Sequence, residues 1–134
     1  MLFEAAPKID IREQSPLSLA FVGDAVLELL VRQRLVETTR LLPGRLHTVA
    51  TRYVSARAQS RELAILEPVL TEEEANVLRR GKNASKATVA TAQEYRASTG
   101  FECLLGYLYL KGRNDRILEL FDLLWQGFDP DAAE

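Results

Sequence analysis

The sequence predicts an all-helical fold built as a single domain. Apolar residues recur at three- and four-residue spacing, helix-start and helix-stop residues bound the periodic segments, and clean apolar–polar alternation never persists long enough for a strand. A chain of 134 residues has the size of one domain. At that length folding removes roughly two-thirds of the surface an unfolded chain exposes, so one core suffices. No internal repeat, low-complexity tract or linker divides residues 1–134.

Each helix has its own local reasons. Ser15-Pro16 sets the first start, with proline near the first helical position, and Leu17, Ala20, Phe21, Leu27 and Val31 form an apolar stripe to about residue 34. Pro43-Gly44 is the next break. A helix over 46–66 follows from Leu46, Val49, Ala50, Tyr53, Val54, Arg57 and Ala58, and Pro68 interrupts it. Thr71 and Glu74 read as a capping box opening a short helix that reaches Arg80, with Gly81-Lys82-Asn83 as its exit turn. A long helix is expected over 88–110, its second half apolar almost all round with Glu102 set inside it, and Gly112 is its stop. Asn114 caps a last helix carrying Ile117, Leu118, Phe121, Leu124 and Trp125, closed by Gly127.

Composition bounds the setting. The single cysteine, Cys103, cannot form an internal disulfide, and Phe101, Leu104 and Leu105 beside it suggest a buried hydrophobe rather than a reactive thiol. A reducing, cytoplasmic home is expected. The first residues lack a sustained apolar run, and no apolar stretch reaches the length of a membrane span, so a soluble protein without a membrane partner is expected.

The formal charge of -2 argues mildly against nucleic acid as a partner, but the charges are unevenly distributed along the chain. Arg32, Arg34, Arg40, Arg45, Arg52, Arg57 and Arg61 are opposed only by Glu37 within their stretch; Arg79, Arg80, Lys82, Lys86 and Arg96 only by Glu94. Acid gathers at Glu72, Glu73 and Glu74 and in the tail, at Asp122, Asp129, Asp131 and Glu134. The reading is a dipolar molecule; the plainer alternative is a solvated surface with charge clumped by chance.

Two carboxylates sit where a purely structural helix should not want them. Asp24 lies within Leu19-Ala20-Phe21-Val22-Gly23-Asp24-Ala25-Val26-Leu27, and Glu102 within Gly100-Phe101-Glu102-Cys103-Leu104-Leu105-Gly106. Ionised carboxylates are rarely buried unless paired or bound to metal. Shared coordination of one divalent cation would satisfy both. A salt bridge to arginine would also do so, and Glu28, one turn beyond Asp24, invites that simpler role.

The segment from Leu19 through Leu29 resembles the signature helix of ribonuclease III, and Phe101-Glu102-Cys103-Leu104-Leu105-Gly106-Tyr107-Leu108-Tyr109-Leu110 resembles its second metal-binding helix. Within that superfamily the chain is more similar to Mini-ribonuclease III, which has the nuclease domain without a double-stranded-RNA-binding domain. His47-Thr48-Val49-Ala50-Thr51-Arg52-Tyr53-Val54-Ser55-Ala56 and Arg79-Arg80-Gly81-Lys82-Asn83-Ala84 resemble two further segments of that subfamily. The likeness spans roughly residues 16–124, the expected nuclease core.

The resemblance implies a metal-dependent endoribonuclease that cleaves double-stranded RNA, with Asp24 and Glu102 as catalytic metal ligands. Magnesium is the implied ion, with manganese able to substitute. Full-length ribonuclease III has two further acids, which are Ala20 and Thr99 here, an economy typical of the Mini-ribonuclease III group. Magnesium keeps several waters and tolerates one or two carboxylates, so weak binding without RNA is expected. The cation would activate a water and stabilise charge developing on the phosphate and the leaving 3′ oxygen.

Double-stranded RNA is read mainly through shape, phosphates and 2′-hydroxyls. Arg79, Arg80, Lys82 and Asn83 are the expected backbone contacts, with Lys86 and Arg52 behind them. His47 reads as a surface or capping group rather than a general base, and Tyr107 and Tyr109 as packing residues. The resemblance further implies a homodimer whose two sites each cut one strand, its surface drawn from 101–110 with Leu17, Phe21 and Leu29. It also implies precursor large-subunit (23S) ribosomal RNA as substrate, with a possible ribosomal protein helper. The rival readings are a non-catalytic module that binds structured RNA during ribosome assembly and a plain helical protein-interaction domain.

Overall fold

Ser15 starts the first helix: its hydroxyl accepts the Ser18 N–H at 3.0 Å, and Pro16 occupies a first-turn position where no N–H is needed. The structure, a computed structural model, describes residues 3–86 and 92–131. Helix α1 (Pro16–Thr38) buries Leu19, Ala20, Gly23, Val26, Leu27, Leu30, Val31 and Leu35. Leu17 and Phe21, expected in its apolar stripe, face outward instead, Phe21 with 84% of its surface exposed.

The helix expected over 46–66 is two helices, α2 (Pro43–Val54) and α3 (Ala56–Leu66). Ser55 makes the break. Its backbone is extended, its N–H donates to the Thr51 carbonyl, and its hydroxyl accepts the Ala58 N–H at 3.1 Å. Apolar periodicity runs through this corner because both helices present one side to the same core. Pro43 starts α2 rather than breaking the chain, again in the first turn.

Helix α4 (Glu72–Ala84) opens with the expected capping box between Thr71 and Glu74. It continues through Gly81 rather than turning there. Gly81 is buried, and an added Cβ would lie 2.8 Å from the Gly100 Cα, so this glycine serves helix packing and not a turn. Helix α5 (Ala92–Leu110) is buried on nearly every side from Phe101 to Leu108, with α1, α3 and α4 packed around it. Its expected first residues fall at 88–91, outside the described residues.

Gly112, at φ 78°, ends α5. Helix α6 (Asn114–Gly127) follows, but Asn114 does not cap it: Arg113 holds the cap position without a side-chain hydrogen bond, and Asn114 Oδ1 is buried and unpartnered. Among the described residues the elements are all helical, and no helix is long and apolar enough to cross a membrane. Arg34 and Arg52 reach the acidic end of the chain, at Asp122 (2.6 Å) and Asp131 (2.5 Å). Two basic residues from the arginine-rich stretch are thereby paired with two acids of the tail.

Candidate metal centre

The site is made by a crossing of α1 over α5 at two glycines. A Cβ on Gly23 would lie 1.6 Å from the Glu102 carbonyl oxygen, and one on Gly106 1.9 Å from that of Leu19. Only glycine permits this backbone-to-backbone approach. Asp24, next to Gly23, and Glu102, one turn before Gly106, are thus set side by side.

Their proximity is visible in their electrostatics. Glu102 is half-buried, and its carboxyl is pushed up to about 7. Burial contributes most; the negative charges of Asp24 and Glu28 add to it, while a hydrogen bond from Gln59 opposes it. Asp24 is exposed, and Glu28 accepts a hydrogen bond from Arg32 at 3.1 Å, the ion pair suggested by its position. Asp24 and Glu102 therefore crowd negative charge, a donor chemistry that fits a hard divalent cation. Among the described residues no three or more His, Cys, Asp and Glu side chains gather around one point.

Gln59, on α3, was not singled out from sequence. It is buried, with Nε2 donating to Glu102 Oε2 at 3.1 Å and to the Val54 carbonyl at 2.9 Å. Glu62, one turn on, is fully buried, and both carboxylate oxygens lack a hydrogen-bond partner. The signal was present: Gln59 and Glu62 fall at the spacing of Leu63 and Leu66, on the face of α3 turned to the core.

The expected RNA-contacting residues divide. Arg79, Arg80 and Asn83 are exposed along the C-terminal half of α4, with Arg79 bonded to Asn76. Lys82 lies 3.5 Å from Glu67 and, with Asn83, Gln93 and Arg96, lines a polar cavity of about 510 Å³. Lys86 is exposed beside the undescribed stretch at 87–91. Arg52 stands apart, paired with Asp131 beside the stacked Tyr53 and Trp125 rings.

A second cavity, about 500 Å³, lies against Asp24 and is lined mainly by Phe3, Phe21, Val22, Ala25, Val26, Leu29 and Tyr109. Leu17, Phe21 and Leu29 are exposed as a dimer surface requires, but Phe101 through Leu108, apart from Glu102, are enclosed by the chain's own helices. That part of the expected dimer surface is corrected: α5 is core. His47 is exposed on α2 near Arg32, Val36 and Leu46 and takes no part in the carboxylate pair. Cys103 is buried, as expected, and that burial pushes its thiol up to about 11.

Comparison with known proteins identifies the family. The family model for the ribonuclease III domain matches residues 17–113. The chain is 49% identical over 109 residues to Mini-ribonuclease 3 of Brevibacillus brevis, covering 79% of this chain and 81% of that one. It is 49% identical over 108 residues to Mini-ribonuclease 3 of Symbiobacterium thermophilum, covering 78% and 83%. A crystal structure of a Fusobacterium nucleatum protein superposes with a TM-score of 0.79 at 29% identity, over 88% of this chain and 97% of that one. The chain belongs to the ribonuclease III domain family, a family of endoribonucleases.

Proposed function

We propose that this chain is a cytoplasmic, homodimeric, magnesium-dependent endoribonuclease that cleaves double-stranded RNA, with Asp24 and Glu102 holding the ion. The observation that carries the reading is the glycine-enforced crossing that sets two carboxylates from distant parts of the chain beside each other. A bound magnesium ion supplies charge stabilisation to the phosphate being cut. Asp24, exposed at the helix surface, would be one ligand. Glu102, half-buried and held by Gln59, would be the other. Magnesium keeps several waters and often takes only one or two carboxylates, so this pair would suffice to hold it.

Arg79, Arg80, Lys82 and Asn83 contact the RNA backbone, with Lys86 continuing the strip. Arg52, committed to Asp131, has the weakest claim to such a contact. The apolar cavity against Asp24 and the exposed Phe21 support pairing of two protomers beside their sites. Precursor 23S ribosomal RNA is the proposed substrate; a strain lacking the protein is expected to accumulate unprocessed 23S ends.

Asp24→Asn and Glu102→Gln test the reading. Each is expected to abolish magnesium-dependent cleavage of duplex RNA, while far-ultraviolet circular dichroism and gel-shift binding stay as in the wild type. Undiminished cleavage in either variant refutes the assignment. Duplex binding by a wild type that never cleaves, at any magnesium or manganese concentration, would favour a non-catalytic RNA-binding module.

A further inference from the structure

Gln59 and Glu62 form a buried polar group that the proposed reaction does not use directly. Gln59 is 2% exposed, and both hydrogens of its Nε2 are committed, one to the Val54 carbonyl and one to Glu102 Oε2. Those two bonds fix which way the amide faces, because a flipped amide would set its oxygen against two oxygens. Its Oε1 is left buried without a donor.

Glu62 lies three residues further along α3, on the same face, with no exposed surface and both oxygens unpartnered. Two orphaned acceptors one helical turn apart share one remedy. A carboxylate offers Oε1 nothing, whereas a carboxylic acid carries one O–H donor. Burial favours that same uncharged form and alone pushes the Glu62 carboxyl up to about 8. Tyr53 is a titratable side chain that senses Glu62.

We infer that Glu62 is a positioning residue: as a carboxylic acid it donates to Gln59 Oε1 and so locks the carboxamide that holds Glu102 ready for the cation. The inference rests on Glu102 being a cation ligand, as proposed above. Stability alone gives no reason for an acid at this position, since an apolar side chain of similar size would fill it without an orphaned oxygen.

The test uses the full chain as wild type, Glu62→Gln, Glu62→Met and Gln59→Leu. Manganese binding without RNA is measured by loss of the free-ion electron paramagnetic resonance signal, beside the thermal midpoint at pH 7. Glu62→Gln keeps a donor toward Gln59 and is expected to bind manganese as the wild type does. Glu62→Met is expected to bind about 10-fold more weakly, and Gln59→Leu about 10- to 100-fold more weakly. The thermal midpoint of Glu62→Met should equal or exceed that of the wild type, a separation of binding from stability that a merely structural residue would not produce.

Wild-type affinity in Glu62→Met, or equal losses in Glu62→Gln and Glu62→Met, would overturn the inference. A second measurement needs no variant: carbon-13 carboxyl resonances of the wild type at pH 6 should show Glu62 protonated, and an ionised Glu62 would overturn it too. The nuclease reading fails separately, on RNA cleavage by the wild type, which neither measurement uses.

Discussion

A methyl group at Gly23 would meet the Glu102 carbonyl, and one at Gly106 the Leu19 carbonyl; neither backbone atom can yield without parting α1 from α5. Gly23→Ala is therefore expected to lower stability by about 1–3 kcal/mol or more in urea unfolding and to weaken manganese binding. Gly44→Ala, with nothing within 4 Å of the added carbon, is the control and should lose neither. Glu62 and Glu102 share a consequence at the same scale. Both carboxyls are raised in the fold, so the folded chain holds protons that the unfolded chain releases above about 4.5. Stability is fullest below that value and falls as pH rises towards 8. Urea unfolding at pH 5 and pH 8 should show a smaller loss for Glu62→Met than for the wild type, the remainder belonging to Glu102; equal losses would show that Glu62 is not protonated in the fold.

Among the helices, the start of α4 depends on a side chain from α6. Arg116 reaches both oxygens of Glu74 at 2.9 Å and the Val69 carbonyl at 2.8 Å, and Glu74 in turn closes the capping box on Thr71. Arg116→Met leaves a buried carboxylate unpaired and should lower stability by about 3–5 kcal/mol, read as a shift in urea midpoint. Much of this architecture is legible in the sequence, because proline, serine and capping-box signals act locally: Ser15, Thr71 and Gly112 do what their types imply. The split at Ser55 is hidden because apolar spacing passes unbroken through the corner. Gly81 misleads because close helix packing and a helix stop both call for glycine, and only the neighbouring helix distinguishes them. Asp24 and Glu102 stand out in sequence as acids in apolar surroundings. Gln59 and Glu62 do not, since neither their burial nor the bond from Gln59 to Glu102 is visible in residue type.

Across the whole molecule, pairing distant in sequence reorganises the charge. Arg34 and Arg52 pair with tail acids at Asp122 and Asp131, while Arg79 and Arg80 on α4 and Lys86 beyond it are exposed, the basic strip proposed for RNA. Affinity for duplex RNA should fall steeply with salt, and removing Lys86 should flatten that dependence where removing Arg52 does not. The apolar surface beside Asp24 makes a matching prediction about assembly. Phe21→Glu should yield a monomeric mass by light scattering, with the fold intact, while the wild type is a dimer; a monomeric wild type at micromolar concentration contradicts the pairing. The most direct test of the proposed metal centre is a crystal soaked in manganese and measured at the manganese absorption edge. An anomalous peak between Asp24 and Glu102 is the predicted result; ordered side chains with the ion bound elsewhere, or with no peak between them, would contradict it.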